Sequence, residues 1–346
     1  MATKKKTKER ISKNNYTGPH TILITGAAGY VGAMLCDQFS ACPELKNIVA
    51  IDKEPMPELL KGNKKIKWIT SELSSGEWEK EAEKFSPEVI IHTAWQISEL
   101  LGESERQRKM NIEGSEKVFD FFFRSTFTKK LIHFSTNSSY GAFDVNSHER
   151  LFVEGDMLRE NEYLYGLEKK EAESILAKKY VESSRNKDVF VLRPTTIMGP
   201  RCKYMSGKKG LLYTIEHEIS FFPMTNEKWG RQYVHEDDIT DIVAIITFND
   251  IPVKGYEVFN ISPKDILFGE DLAKFFGKEK KYIPPVFVRI AFFFARNFFV
   301  GRFPVTGVGS WKFLCYPIFI EGSKVNRSLK YKYNFSSFDA LEAKKG

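Results

Sequence analysis

One short stretch near the amino terminus constrains the chain more than any other. Thr21-Ile22-Leu23-Ile24-Thr25-Gly26-Ala27-Ala28-Gly29-Tyr30-Val31-Gly32 reads as an apolar strand, a glycine turn and a helix start. Gly26, Gly29 and Gly32 follow the spacing G-x-x-G-x-x-G. Glycines so placed allow a tight turn, let backbone N–H groups approach a pyrophosphate, and let the helix lie close to the strand. The helix start adds partial positive charge. An ordinary strand-to-helix turn can carry the same glycines, so the flanking residues matter. Asp52 ends the next strand candidate, where a carboxylate suits the ribose 2′-OH of NAD and repels the 2′-phosphate of NADP. The alternative is a turn aspartate, and Lys53 beside it softens the preference.

Further strand candidates follow at Asn47–Ile51, Ile66–Thr70, Glu88–His92, Lys130–Ser135, Asp188–Arg193 and Tyr256–Ile261. Helix-length segments lie between most of them, including Val31–Phe39, Glu105–Phe123 and Tyr163–Val181. Buried strands alternating with helices predict an α/β fold, a Rossmann-type doubly wound parallel sheet. After Arg193-Pro194 the rhythm changes. The expected division is a dinucleotide-binding domain over 20–200 and 234–262, with a smaller α/β substrate domain over 201–233 and 263–346. The tract Trp311–Ile318 reads as a return strand.

The net charge is +7. Residues 1–14 hold six basic residues against Glu9, so +5 of it is local and the rest of the chain carries +2. Residues 1–19 therefore read as a disordered, solvated basic tail, and nucleic acid is not an expected partner. Cys36, Cys42, Cys202 and Cys315 form no C-x-x-C pair, and the chain begins without an apolar leader. Both point to a reduced, cytoplasmic protein. The six histidines are scattered, and no metal site is expected.

Tyr165 and Lys169 stand four apart, which places them on one face of a helix. An ammonium near a phenol favours phenolate and lowers its pKa. Tyr165 is then a candidate acid/base for a hydroxyl whose carbon exchanges hydride with a nicotinamide. A solvated helix face would show the same pair. Thr136 follows the fifth strand candidate, on the edge where open α/β sheets bind ligands, and its hydroxyl can hydrogen-bond a reacting oxygen. A Ser/Thr-rich turn is the plainer alternative.

Taken in order, these motifs resemble the extended short-chain dehydrogenase/reductases of the NAD-dependent epimerase/dehydratase family. To the glycine turn, Asp52 and Tyr165/Lys169 the resemblance adds several segments. They are Ile91-His92-Thr93-Ala94, Asn111 in Asn-Ile-Glu-Gly-Ser, the Ser135–Gly141 loop, Arg193-Pro194 through Gly199-Pro200-Arg201, and Tyr233-Val234-His235-Glu236-Asp237-Asp238. It covers about 20–262 well and continues more loosely to about 342.

The resemblance implies Thr136, Tyr165, Lys169 and Asn111 as the catalytic set, with Asn111 a structural or proton-relay residue. It implies NAD held by Gly26, Ala28, Gly29, Tyr30, Val31, Gly32, Asp52, Lys53, Glu72, Leu73, Thr93, Ala94, Trp95, Asn111, Ser135, Tyr165, Lys169, Arg193, Pro194 and Thr196. It implies substrate held by Gln96, Thr136, Asn137, Ser138, Thr196, Arg201 and Arg231, with Arg231 on a diphosphate. A surface pairing of Arg231 with Glu236 is the alternative. It also implies a homodimer through Glu105–Phe123 and Tyr163–Val181.

Four positions depart from the family pattern. Glu72 stands where an aspartate usually meets adenine. Asn137 and Ser138 stand where 4,6-dehydratases place Asp-Glu, so dehydration of that kind is not expected. Thr196 replaces an asparagine that helps hold nucleotide sugars in many relatives.

The chain holds 29 Phe, and Phe292, Phe293, Phe294, Phe298 and Phe299 cluster within Val286–Val300, where Arg289 and Arg296 stand seven apart on one helix face. Substrate-domain core or a subunit contact is the expected role. A membrane-surface helix and an apolar substrate pocket are the alternatives. Sugar-nucleotide epimerisation is the leading expectation for function. An NAD(P)-dependent dehydrogenase or reductase of an apolar, lipid- or steroid-like alcohol or ketone is the first rival. A non-catalytic NAD-sensing or scaffold protein is the second.

Overall fold

The computed structural model describes residues 18–183, 186–202, 215–298 and 307–343. Most of the expected basic tail lies outside them, as do Phe299 and Val300. The seven expected strands all form: β1 Thr21–Thr25, β2 Asn47–Asp52, β3 Ile66–Thr70, β4 Val89–His92, β5 Lys130–Phe134, β6 Asp188–Pro194 and β7 Tyr256–Ile261. They make one parallel sheet in the order β7-β6-β5-β4-β1-β2-β3. The order reverses at β1, so the crevice beside the carboxyl ends of β1 and β4 is where a ligand belongs.

Alternation along the strands builds two layers. Ile22, Ile24, Ile48 and Ala50 face one side. There they meet α1 (Tyr30–Phe39) and α4 (Glu236–Phe248). Leu23, Val49, Ile51 and Leu131 face the other side, against α2 (Gly114–Arg124) and α3 (Leu164–Glu182). Strands buried on both faces read as continuous apolar runs because neither face meets water. The expected Glu105–Phe123 helix is one helical run with a π-turn, Lys109–Glu113, in its middle. That turn sets Asn111 toward the sheet edge, a placement the apolar spacing does not reveal.

Beyond the sheet, short pairings join Thr196–Met198 to Tyr233–His235, Gly230–Arg231 to Leu267–Phe268, and Phe222–Met224 to Lys280–Tyr282. Their side chains form a separate apolar cluster around Phe222, Trp229, Tyr233 and Leu341.

Two expectations for the carboxyl-terminal part fail. Trp311–Cys315 is a helix, α6, and not a strand. Leu314 and Cys315 pack with Val288 and the flanking Trp311, which uses helical spacing rather than alternation. The Phe-rich segment forms the expected helix, α5 (Pro285–Phe298), but Val288 is its one buried residue. It is not core, so that half of the expectation falls. Arg296, Val288 and Phe292 face the protein, whereas Arg289 and six apolar side chains from Val286 to Phe298 are exposed.

His92 and His133 stack within the sheet, ring centres 5.3 Å apart. Thr25 Oγ1 lies 2.7 Å from His92 Nδ1 and Ser115 Oγ 2.9 Å from Nε2, so a neutral His92 uses both nitrogens. Burial holds the His92 pKa down to about 3. Neither ring nitrogen of His133 has a partner, and burial drives its pKa well below the usual value. His133 thus stays neutral when folded and binds a proton below about pH 6.5 when unfolded. The unfolded state holds more protons there, so stability falls as pH falls. His133→Phe removes that proton and fills the same space. Its stability advantage over the parent should grow as pH drops from 7 to 5.5, by up to about 1.4 kcal/mol per pH unit. Paired denaturant titrations at each pH measure the difference, and a constant difference refutes the assignment.

Candidate active site

A cavity of about 660 Å³ opens at the carboxyl ends of β1, β4, β5 and β6. Its first part is the glycine turn. Gly26 adopts φ +71°, and a Cβ there would lie 2.5 Å from Ala94 N. A Cβ on Gly32 would lie 2.1 Å from Gly26 O. Both positions therefore require glycine, one by conformation and one by the closeness of turn and helix. Asp52 Oδ2 accepts from Ala28 N–H at 2.9 Å and Oδ1 from Glu54 N–H at 3.0 Å. The carboxylate is thus fixed at the cavity wall next to the turn. Gly29, Tyr30, Val31, Lys53, Glu72 and Leu73 line the same part. A pyrophosphate-sized backbone cradle with a fixed carboxylate beside it fits a dinucleotide carrying a free ribose diol.

Thr93, Ala94, Trp95, Gln96 and Asn111 line the middle of the cavity. Asn111 Oδ1 accepts from Gln96 N–H at 2.7 Å, while its amide donates to Gln96 O at 3.0 Å and Glu168 Oε2 at 2.7 Å. Gln107 also donates to Glu168, at 3.3 Å. Asn111 is held as a brace for the Gln96 loop. Burial raises the Glu168 pKa while its two amide donors lower it. Glu168 and Gln107 were not expected here. Glu168 adjoins Lys169 on α3, and that adjacency was the available signal.

The far wall holds Ser135, Thr136, Asn137, Ser138, Tyr165, Lys169, Pro194 and Thr196. The Tyr165 and Thr136 hydroxyls are close enough to interact. Thr136 Oγ1 also accepts from Ser138 N–H at 3.1 Å, capping the short turn Asn137–Tyr140. The Lys169 ammonium donates to Phe134 O and lies 3.7 Å from the Trp95 ring centre. The expected depression of the Tyr165 pKa is not found. Burial raises it, and interaction with the Thr136 hydroxyl lowers it in part. Lys169 gives no help because burial also costs its own charge, pushing its pKa down to about 7 against the pull of Glu173 and Glu168.

Three expected contact residues do not line this cavity. Arg193 is buried in a bidentate pair with Glu173 and also donates to Tyr140 Oη at 2.9 Å. It ties β6 to α3, and Glu173 in turn accepts from Ser135. Arg201 pairs with Glu236 at 3.0 Å and with Asp237. Glu236 is therefore the partner of Arg201 and also accepts from the Tyr30 hydroxyl, so the expected alternative for Arg231 fails. Arg231 is half-buried, donates to Phe313 O and lies 5.3 Å from the Trp229 ring centre. Among the described residues no carboxylate pairs with it. Tyr163 and Tyr233 are the groups that interact with its charge, and Tyr163 rests 5.9 Å from Tyr165, ring to ring.

A family model described as "NAD dependent epimerase/dehydratase family" matches residues 22–262. No curated protein matches the chain. Among solved structures, UDP-glucose 4-epimerase of Thermotoga maritima, with UDP-glucose, aligns at 20% identity and TM-score 0.67, covering 94% of this chain and 97% of its own. A dTDP-glucose 4,6-dehydratase of Bacillus anthracis, in complex with NAD, aligns at 17% identity and TM-score 0.70, covering 94% and 95%. An epimerase of Methanothermobacter thermautotrophicus aligns at 16% identity and TM-score 0.71, covering 99% and 94%. At these identities the likeness is one of fold.

Proposed function

We propose, from the premise that this chain belongs to the NAD-dependent epimerase/dehydratase family, that it epimerises a nucleotide sugar at a carbinol carbon. It is an NAD-dependent enzyme of the short-chain dehydrogenase/reductase type. Bound NAD supplies reversible hydride exchange. The residues around it do the rest. Asp52 selects the diol of the adenosine ribose. Thr136 and Tyr165, neighbours in the cavity wall, converge on the substrate hydroxyl. Tyr165 takes its proton as the carbon gives up hydride and returns it when the ketone is reduced from the other face. Lys169 would hold the nicotinamide ribose. Asn137 and Ser138 offer no carboxylate, which favours epimerisation over dehydration. The reading includes a cytoplasmic homodimer. No helix among the described residues is long and apolar enough to cross a membrane.

Arg231 carries the choice of substrate class. A half-buried cation with no acidic partner among the described residues, near Tyr163, which packs on Tyr165, suits a diphosphate. The rival reading, an apolar alcohol or ketone, draws on the aromatic character of α5 and α6 and on Thr196.

Two measurements test the proposal. Mass spectrometry of nucleotide released by denaturation should find NAD or NADH near one per chain, as an enzyme that regenerates its cofactor requires. With UDP-hexoses, Arg231→Gln should raise KM by about 30- to 100-fold, the loss of one charged phosphate contact, with NAD content unchanged. An empty site that exchanges NAD freely, with turnover of apolar alcohols and none of UDP-hexoses, overturns it.

A further inference from the structure

We infer that α5 is a docking helix for the surface of an anionic phospholipid bilayer. This inference stands apart from the choice of substrate. On a water-soluble surface a helix turns its arginines out and its phenylalanines in. Here one arginine, Arg296, turns inward beside Val288 and Phe292, while Arg289 and most of the apolar side chains are exposed. Val288 packs with Leu314 and Cys315 of α6, and Phe292 lies against them. Arg296 clamps Glu99 through two hydrogen bonds, at 2.5 and 2.6 Å, and Arg289 lies 5.7 Å from the Trp311 ring centre. The helix is thereby fixed to the protein by Arg296 together with Val288 and Phe292. Val286, Phe287, Ile290, Phe293, Phe294 and Phe298 are left 45–67% exposed.

The size of this face bears on what covers it. Six such side chains, each about half exposed, present roughly 600 Å² of apolar surface, at the top of what a monomer usually tolerates. A stable dimer buries about 800 Å² per partner, so the face alone falls short of one. Charge weighs further against a second copy. Between Glu279 and Glu321 the sequence holds six Lys or Arg and no acid. Arg296 and Lys312 are balanced by Glu99 and Glu162, and Lys280 lies near Glu270. Lys281 and Arg289 have no carboxylate partner among the described residues. A two-fold contact would set this basic margin against itself, whereas anionic headgroups complement it. Aromatic side chains on a helix about 21 Å long suit the boundary between headgroups and acyl chains.

The position gives the docking a consequence. Glu99 follows Trp95, Gln96 and Ile97 of the cavity wall, and Phe313 of α6 packs on Tyr163 at 4.8 Å. The helix that meets the bilayer is thus clamped to the loop at the cavity wall, and the active site opens near the headgroup layer.

Sedimentation with sucrose-loaded vesicles tests this on the full chain. Vesicles of phosphatidylcholine with about one-third phosphatidylglycerol should bind the protein, and pure phosphatidylcholine should bind it more weakly. The double variant Phe293→Ser/Phe294→Ser should lose at least tenfold in partition coefficient. The basic tail is the same in both proteins, so the difference belongs to the helix. Thermal melting and NAD titration check the variant, and Phe298→Ser replaces it if folding suffers. Equal binding by parent and variant overturns the inference, as does absence of binding. Light scattering that shows a dimer dissolved by the same substitutions also overturns it and assigns the face to a second copy.

Discussion

Tyr165→Phe should lower turnover by about a thousandfold while leaving NAD affinity within a few-fold of the parent. The substitution removes one oxygen from a half-buried ring and leaves its packing against Tyr163 in place. It removes the hydroxyl that interacts with Thr136 and, in the proposed reading, exchanges the substrate proton. Substrate binding should change little, so the loss belongs in kcat rather than KM. The pH profile carries further information. Burial raises the Tyr165 pKa in the protein by itself, and Lys169 titrates near pH 7. Turnover should therefore change through the neutral range as Lys169 loses the charge that would hold the cofactor ribose. Single-turnover measurements with bound cofactor and UDP-hexoses, read by absorbance of the reduced nicotinamide, provide the check. Full activity in Tyr165→Phe would refute the assignment of the proton to this residue.

Gly32→Ala should abolish measurable NAD binding, a loss of at least a hundredfold. The added Cβ would stand 2.1 Å from Gly26 O and 2.7 Å from Gly26 C. Both are backbone atoms, so no side chain can swing aside. Either α1 lifts from the turn or the turn opens, and each movement spoils the row of N–H groups meant for the pyrophosphate. Gly29→Ala is the internal comparison. Its Cβ would meet Gly26 O at 3.1 Å, and Gly29 has φ −74°, which any residue adopts. That variant should fold with a small loss of stability. Calorimetric titration with NAD and thermal melting separate the outcomes. Unchanged NAD binding in Gly32→Ala would remove the turn from the cofactor site.

The legible parts of this protein are the ones that local chemistry encodes. Apolar runs separated by helices placed all seven strands, because strands covered on both faces have no polar side to disguise them. The glycine spacing located the turn, since closeness and positive φ leave glycine no substitute. Asp52, Thr136, Tyr165 and Lys169 were found from strand ends and helix spacing, and the fold brings all four to one cavity.

The mistaken parts depend on partners distant in the chain. Arg193 resembles a ligand contact until Glu173 is seen to occupy it, and the alternative pairing of Arg231 with Glu236 names a partner that Arg201 already holds. The pKa of Tyr165 turned on burial, a quantity that the four-residue spacing to Lys169 does not contain. Trp311–Cys315 is a short apolar run broken by Lys312, which suits a strand or a helix alike, and its packing against Val288 is that of a helix. For α5 the sequence determined an amphipathic helix with two arginines on one side. Which side faces water was decided only by tertiary structure, because the Glu99 carboxylate that draws Arg296 inward lies almost two hundred residues earlier in the chain.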